Sequence, residues 1–320
     1  MNQGEAKSTK VLRKKSSGVP TIAVTGGKGG TGKSTVAVNL ATALSIKGSR
    51  VMLVDADVDG PCCAILLGTK LGTGEEARTF KPVIDAARCT GCSKCVAVCH
   101  EHALVGLQGL TPSFFEELCS GCKACQLVCE AGAVKESWKT LGTIYVTDTN
   151  GIKLVTGELK PTEARSPIVA RATMQRAIKE LKDGYDIMVV DTAPGVHNVV
   201  AQALWEADLA LAVTEPTPLG AHDLGLIMDL TEEFGLPIEV VLNRADIPGG
   251  LKDKVVKISQ NRGVKIAAEV PMDDELLRSY ISGEPIVKKS PDSPAAVALL
   301  SLAQHVLEML KVGEIYGTTA

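Results

Sequence analysis

Aromatic residues are scarce. Two Trp, four Tyr and four Phe make up 3% of 320 residues, so the interior must be built from aliphatic side chains. Neither sign of charge dominates: 34 basic residues face 37 acidic ones, a net of −3. That balance gives no reason to expect nucleic acid as the main partner. No apolar run approaches the ~18 residues of a membrane span. Behind the basic N-terminal residues there is no apolar segment of the secretory type. These absences predict a cytoplasmic chain. Its 45% hydrophobic content is that of an ordinary globular protein.

Cysteine is present in quantity, but clustered. Of ten cysteines, eight fall into two quartets: Cys89, Cys92, Cys95 and Cys99, then Cys119, Cys122, Cys125 and Cys129. Each quartet has the C-x₂-C-x₂-C-x₃-C spacing of bacterial ferredoxins. Thiolates are the soft ligands that iron–sulfur clusters need. In such folds the fourth cysteine of each run ligates the other cluster. One [4Fe–4S] centre is therefore expected on Cys89, Cys92, Cys95 and Cys129, and a second on Cys119, Cys122, Cys125 and Cys99. Two zinc sites are the competing reading, but a quartet repeated twice is far more specific than a pair of C-x-x-C elements. The proline that usually follows the fourth cysteine is replaced by His100 and Glu130. Ligation does not need that proline. With the thiolates supplied, His100 and His102 are read as surface residues.

The chain is organised around Gly27–Thr35, Gly-Lys-Gly-Gly-Thr-Gly-Lys-Ser-Thr. It fits G-x-x-x-x-G-K-[ST]. The apolar run Thr21–Val24 precedes it as a short strand. Val36, Leu40 and Leu44 follow on one face of a helix that Gly48 can end. Gly27, Lys28, Gly29, Gly30, Thr31, Gly32, Lys33, Ser34 and Thr35 are the expected phosphate cradle. Backbone N–H groups and the helix N-terminus attract phosphate oxygens. Lys33 would reach the β- and γ-phosphates, and the Ser34 hydroxyl would bind Mg²⁺.

Two further acidic turns follow buried strands. Val51–Val54 runs into Asp55-Ala56-Asp57-Val58-Asp59-Gly60-Pro61, and Tyr185–Val190 runs into Asp191-Thr192-Ala193-Pro194-Gly195. Carboxylates beyond the carboxyl ends of strands sit where open α/β sheets bind ligands. Asp191 has the arrangement of a Walker B carboxylate for Mg²⁺ or its water. Cys62 and Cys63, being adjacent, cannot readily chelate one ion together and are read as small packing residues. The strand Ile238–Leu242 ends in Asn243-Arg244-Ala245-Asp246, whose spacing imitates the guanine-reading loop of GTPases with Arg for Lys.

The loop with its early lysine, Lys28, resembles the deviant Walker A of the ParA/MinD class, which includes nitrogenase iron protein and Mrp-type carriers. The resemblance implies that Lys28 reaches the phosphates of a facing subunit in a nucleotide-sandwich homodimer. It implies that Asp57 positions the attacking water, that Asp55 lies near Mg²⁺, and that Asn243 meets an adenine base. Lys28, Lys33 and Asp57 are thus the catalytic candidates, with ATP and Mg²⁺ as cofactors beside two [4Fe–4S] clusters. The Asp-x-x-Pro-Gly segment, Thr156–Leu159 and Thr214–Pro218 also look like this family. Taken together the chain resembles a MinD-superfamily P-loop ATPase with an inserted ferredoxin domain.

The expected fold is a layered α/β domain with a mostly parallel sheet, interrupted by a small α+β ferredoxin-like module. Residues 1–19 are expected to be a disordered basic tail. Residues 20–81 and 139–320 form the ATPase domain, 69–81 being a polar linker, and 82–138 form the insert. Asn150-Gly151 between two β-rich runs signals a hairpin. Helices are expected at 165–181, 220–234, 251–263 and 294–311. The tail Val312–Ala320 is not a basic amphipathic helix, so no membrane attachment is expected. The leading expectation is a slow, partner-dependent ATPase whose nucleotide state controls electron delivery from the clusters to a protein partner. The alternative is an ATP-dependent carrier or assembly factor for iron–sulfur or other metal centres. A spatial-positioning ATPase comes third.

Overall fold

The computed structural model describes residues 17–312. The basic tail expected over 1–19 and the tail 312–320 lie, apart from residues 17–19 and 312, outside the described residues. In chain order the strands are β1 (Thr21–Thr25), β2 (Val51–Asp55), β3 (Glu75–Ile84), β4 (Leu104–Val105), β5 (Ser113–Phe114), β6 (Val134–Thr149), β7 (Ile152–Leu159), β8 (Ile187–Asp191), β9 (Leu209–Thr214), β10 (Ile238–Asn243) and β11 (Ile266–Val270). Two compact units share them. One comprises the chain up to Glu75, Thr143–Leu159 and the chain from Ala164; the other comprises Glu76–Gly142 and Lys160–Glu163.

In the first unit the strand order is β11-β10-β9-β1-β8-β2-β7, and the recorded neighbours run parallel. Strands β1, β2, β8 and β9 are buried along their whole length. A parallel strand covered on both faces has no polar side, which is why these segments read as continuous apolar runs. The end of β6 returns into β7 through Asn150 and Gly151, both left-handed (φ 48° and 77°), as an Asn-Gly hairpin turn requires. The helix α1 (Lys33–Ile46) departs from the one-faced pattern, being buried on nearly all sides from Thr35 to Leu44. The helices Ile286–Lys289 and Pro294–Val312 pack on it, with Ile286, Leu299 and Leu302 fully buried in the same core. Helices at Ser166–Glu180, Pro218–Glu233, Lys252–Asn261 and Pro294–Val312 match the expected segments.

The segment 69–81 differs from the expected polar linker. Strand β3 begins inside it, at Glu75, with Ala77 and Thr79 turned inward around an exposed Arg78. Alternation over so few residues is easily hidden by charged side chains at the strand's start.

The second unit has a small core of Phe80, Leu104, Cys125 and Val134. Its two cysteine quartets repeat each other in backbone as well as in sequence. Gly91, Ser93 and His102 have φ of 65°, 58° and 51°; their counterparts Gly121, Lys123 and Gly132 have 77°, 65° and 58°. Short helices, Lys94–Ala97 and Ala124–Leu127, occupy equivalent places and carry Cys95 and Cys125. His102 thus holds a left-handed position that glycine fills in the other half.

Candidate functional site

The charged groups of the first site and Asn243 stand at or beyond the carboxyl ends of parallel strands. The loop after β1 carries Lys28 and leads into Lys33, the first residue of α1. Lys33 is 5% exposed, and its Nζ donates to the Lys28 carbonyl at 2.9 Å. Burial lowers the Lys33 pKa, and the charges of Asp191 and Asp57 oppose that shift. The loop fits its neighbours only through missing side chains. A Cβ on Gly27 would stand 2.1 Å from Asp223 Cβ. Gly32, at φ 95°, would meet Asn243 Nδ2 at 2.3 Å.

Asp55 and Asp191 end β2 and β8 in direct register and are fully buried. Asp55 Oδ2 accepts the backbone N–H of Cys62 at 2.9 Å and of Cys63 at 2.8 Å. Asp191 Oδ2 accepts the Cys63 thiol at 3.5 Å. The other oxygen of each carboxyl, Oδ1, is buried without a hydrogen-bond partner. Burial raises both pKa values, Asp55 raises that of Asp191 further, and the Ser34 hydroxyl and Lys33 pull Asp191 back. Two buried carboxylates with unsatisfied oxygens are a poor arrangement alone and a good one around a hard divalent cation. Asp57 is half-buried, with its pKa raised by burial and lowered by Lys33. Burial pushes the Cys62 thiol up to about 11.

On the far side of the loop, Asn243 Nδ2 donates to the Thr31 carbonyl at 2.8 Å. Asn243 and Arg244 line a cavity of about 570 Å³ with Pro271, Met272 and Tyr280. Asp246 Oδ1 accepts the Met272 N–H at 2.7 Å, so it caps the loop after β11. Arg244 Nη1 bonds a buried Glu215.

In the second unit the eight cysteines line two separate cavities. One, about 340 Å³, is lined by Cys89, Cys92, Cys95 and Cys129. The other, about 430 Å³, is lined by Cys99, Cys119, Cys122 and Cys125. Each therefore takes three thiols from one quartet and the fourth from the other. All eight thiols are free of disulfides.

Residues 22–286 match the CbiA family, described as the CobQ/CobB/MinD/ParA nucleotide binding domain. The chain belongs to this family. It is 34% identical over 268 residues to an uncharacterized protein of Methanocaldococcus jannaschii, covering 83% of this chain and 91% of that one. It is 27% identical to the iron–sulfur cluster carrier protein of Pyrococcus horikoshii over 92% of this chain and 88% of that one. Among solved structures it is similar to the septum site-determining protein MinD of Pyrococcus horikoshii, complexed with Mg-ADP. The TM-score is 0.58 at 20% identity, over 94% of this chain and all of that one. The mostly parallel sheet is the MinD/ParA-like α/β P-loop fold.

Within that fold the structure gathers Lys28, Lys33, Ser34, Asp55, Asp57 and Asp191 around one loop, and Asn243 beside it. Sequence reasoning singled out Glu215 only as part of Thr214–Pro218, with no role of its own, and missed Tyr280 and the Cys62–Cys63 amides. Glu215 could have been noticed as an acid following a buried strand. Tyr280 sits on the helix Asp274–Ser282, and no local motif marks it. No helix among the described residues is long and apolar enough to cross a membrane.

Proposed function

We propose that this chain is an ATP-dependent iron–sulfur carrier: a P-loop ATPase whose nucleotide state controls delivery from a cluster-bearing module to a protein partner. The observation that carries the reading is the pair of four-cysteine cavities in a chain that also holds a complete phosphate loop. Cys89, Cys92, Cys95 and Cys129 would hold one [4Fe–4S] cluster, and Cys119, Cys122, Cys125 and Cys99 the other. Ser34, Asp55 and Asp191 would hold Mg²⁺ or its waters, which the orphaned carboxylate oxygens favour. The metal would supply charge neutralisation for the phosphates.

Lys33 binds the β- and γ-phosphates, Asp57 orients the attacking water, and Lys28 reaches a second copy across the nucleotide face of a homodimer. ATP is favoured over GTP by the early lysine of the loop, Lys28, through its resemblance to the deviant Walker A of the ParA/MinD class. The name of the Pyrococcus relative supports clusters as the cargo. A second reading, in which electrons are the cargo and the clusters stay, is favoured by the full thiolate sets, since closed four-thiolate sites retain their metal.

The test uses chain loaded with labelled iron and sulfide, mixed with an apo-ferredoxin acceptor, with ATP, ADP or no nucleotide. Label moving to the acceptor in an ATP-dependent manner supports the carrier. Label retained while the clusters cycle between reduced and oxidised states supports electron delivery.

A further inference from the structure

Tyr280 joins the two ends of the nucleotide site. Its hydroxyl lies 2.5 Å from Thr35 Oγ1, across 245 residues of sequence. Thr35 is buried on the first turn of α1, one residue after Ser34, while Tyr280 is 36% exposed and lines the cavity of Asn243 and Arg244. The helix that carries Tyr280 is held at both ends. Asp273 Oδ1 caps it at the Glu275 N–H (2.9 Å), and Asp273 Oδ2 accepts the Ala295 N–H (3.0 Å) from the helix beyond. At the other end Gly283 lies against Gly68 so closely that a Cβ would stand 2.9 Å from its Cα. The tyrosine is therefore placed by the fold.

A threonine hydroxyl has one proton and two acceptor lone pairs. A phenol is the stronger acid, so in this short pair Tyr280 donates and Thr35 accepts. That leaves the Thr35 proton free to donate elsewhere, and a hydroxyl that accepts one bond donates a stronger one. Tyr280 lines the same cavity as Asn243, and Thr35 stands two residues after Lys33, so a nucleotide with its base in that cavity and its outer phosphates at Lys33 would run past the Tyr280–Thr35 pair. We propose that Tyr280 is a positioning residue for the α-phosphate: it donates to Thr35 and so turns the Thr35 hydroxyl proton onto the nucleotide. The inference rests on the nucleotide-site reading above.

The test measures ATP and ADP affinity by calorimetry, and steady-state hydrolysis, for the full chain, Tyr280→Phe and Lys33→Ala. Tyr280→Phe keeps the ring and removes only the hydroxyl. ATP and ADP, which share the α-phosphate, should weaken by the same factor, about two- to tenfold, the range of one neutral hydrogen bond. KM should rise by that factor with kcat retained, whereas a general disturbance of the helix lowers kcat as well. Unchanged affinities, or a loss confined to ATP, overturn the proposal. Tighter binding overturns it too, since the tyrosine would then have been accepting the Thr35 proton in competition with phosphate. If Lys33→Ala loses nucleotide while Tyr280→Phe does not, only the role of Tyr280 fails. If the unaltered chain binds neither nucleotide, the nucleotide reading fails and takes this inference with it.

Discussion

Lys28 Nζ lies 3.4 Å from Glu215 Oε2, inside a single chain. Glu215 is 5% exposed and bonds Arg244 with its other oxygen. One buried acid thus holds a cation from the phosphate loop and a cation from the loop after β10. If Lys28 leaves for another negative group, Glu215 keeps Arg244 and is not stranded. Glu215→Gln should release Lys28, raising the acylation rate of its amine severalfold as followed by mass spectrometry. The cost in stability should be near 1 kcal/mol, because both cations are partly solvated. An unchanged Lys28 reaction rate would show that the pair does not restrain it.

The two lysines should separate in their effects. Lys33→Ala should abolish nucleotide binding, because the phosphates lose their main charged donor. Lys28→Ala should leave binding to the single chain nearly intact and lower hydrolysis by tenfold or more. Equal turnover in Lys28→Ala and the unaltered chain would reject a role across a dimer.

Anaerobically isolated protein should contain about eight iron and eight acid-labile sulfides per chain, as two four-iron clusters require. Stoichiometric zinc without sulfide would sink the assignment. Cys129→Ala should perturb the cluster on Cys89, Cys92 and Cys95, and leave that on Cys119, Cys122 and Cys125. Electron paramagnetic resonance of the reduced protein distinguishes the two.

Asp55 and Asp191 predict an inverted pH dependence for the metal-free, nucleotide-free protein. Burial raises both carboxyls, so the folded chain holds protons that the unfolded chain has released. Stability should therefore fall as pH rises from the ordinary carboxylate range of about 4 until both groups ionise. Asp191→Asn should raise the melting temperature at alkaline pH, by about 2–4 °C per kcal/mol relieved. The same change should remove Mg²⁺-dependent hydrolysis. Thermal melts of both proteins across pH, without added metal, check the sign; a lower alkaline melting temperature in Asp191→Asn would refute it.

Much of the site was legible because its chemistry is local. The phosphate loop, the two strand-end aspartates and the cysteine quartets are each written in fewer than a dozen consecutive residues. The buried parallel strands were legible for a related reason, since burial on both faces leaves an uninterrupted apolar run. What stayed hidden depends on distant segments meeting. Thr35 and Tyr280 are joined only through the path of β11 and the helix after it. The Cys63 thiol meets Asp191 only because β2 and β8 are neighbours. The burial of α1 on nearly all sides from Thr35 to Leu44 could not be read either, because its outer face is covered by helices from the far end of the chain. In β3 the opening Glu75-Glu76 disguised a strand as a linker.

The parallel order of the sheet divides the first unit into two rims of unequal freedom. Lys33, Asp55, Asp191, Glu215 and Asn243 all stand at one rim, each at or just beyond a strand's carboxyl end. At the opposite rim are the Asn150-Gly151 turn, the end of α1 and the approach to β8, tied by contacts such as Ser45 Oγ to the Gly151 carbonyl at 3.3 Å. None of the residues assigned to nucleotide lies there. That rim is the natural place for a fluorophore, an affinity tag or a tether to a surface: a probe at Asn150 would report on the molecule without standing in the path of its chemistry.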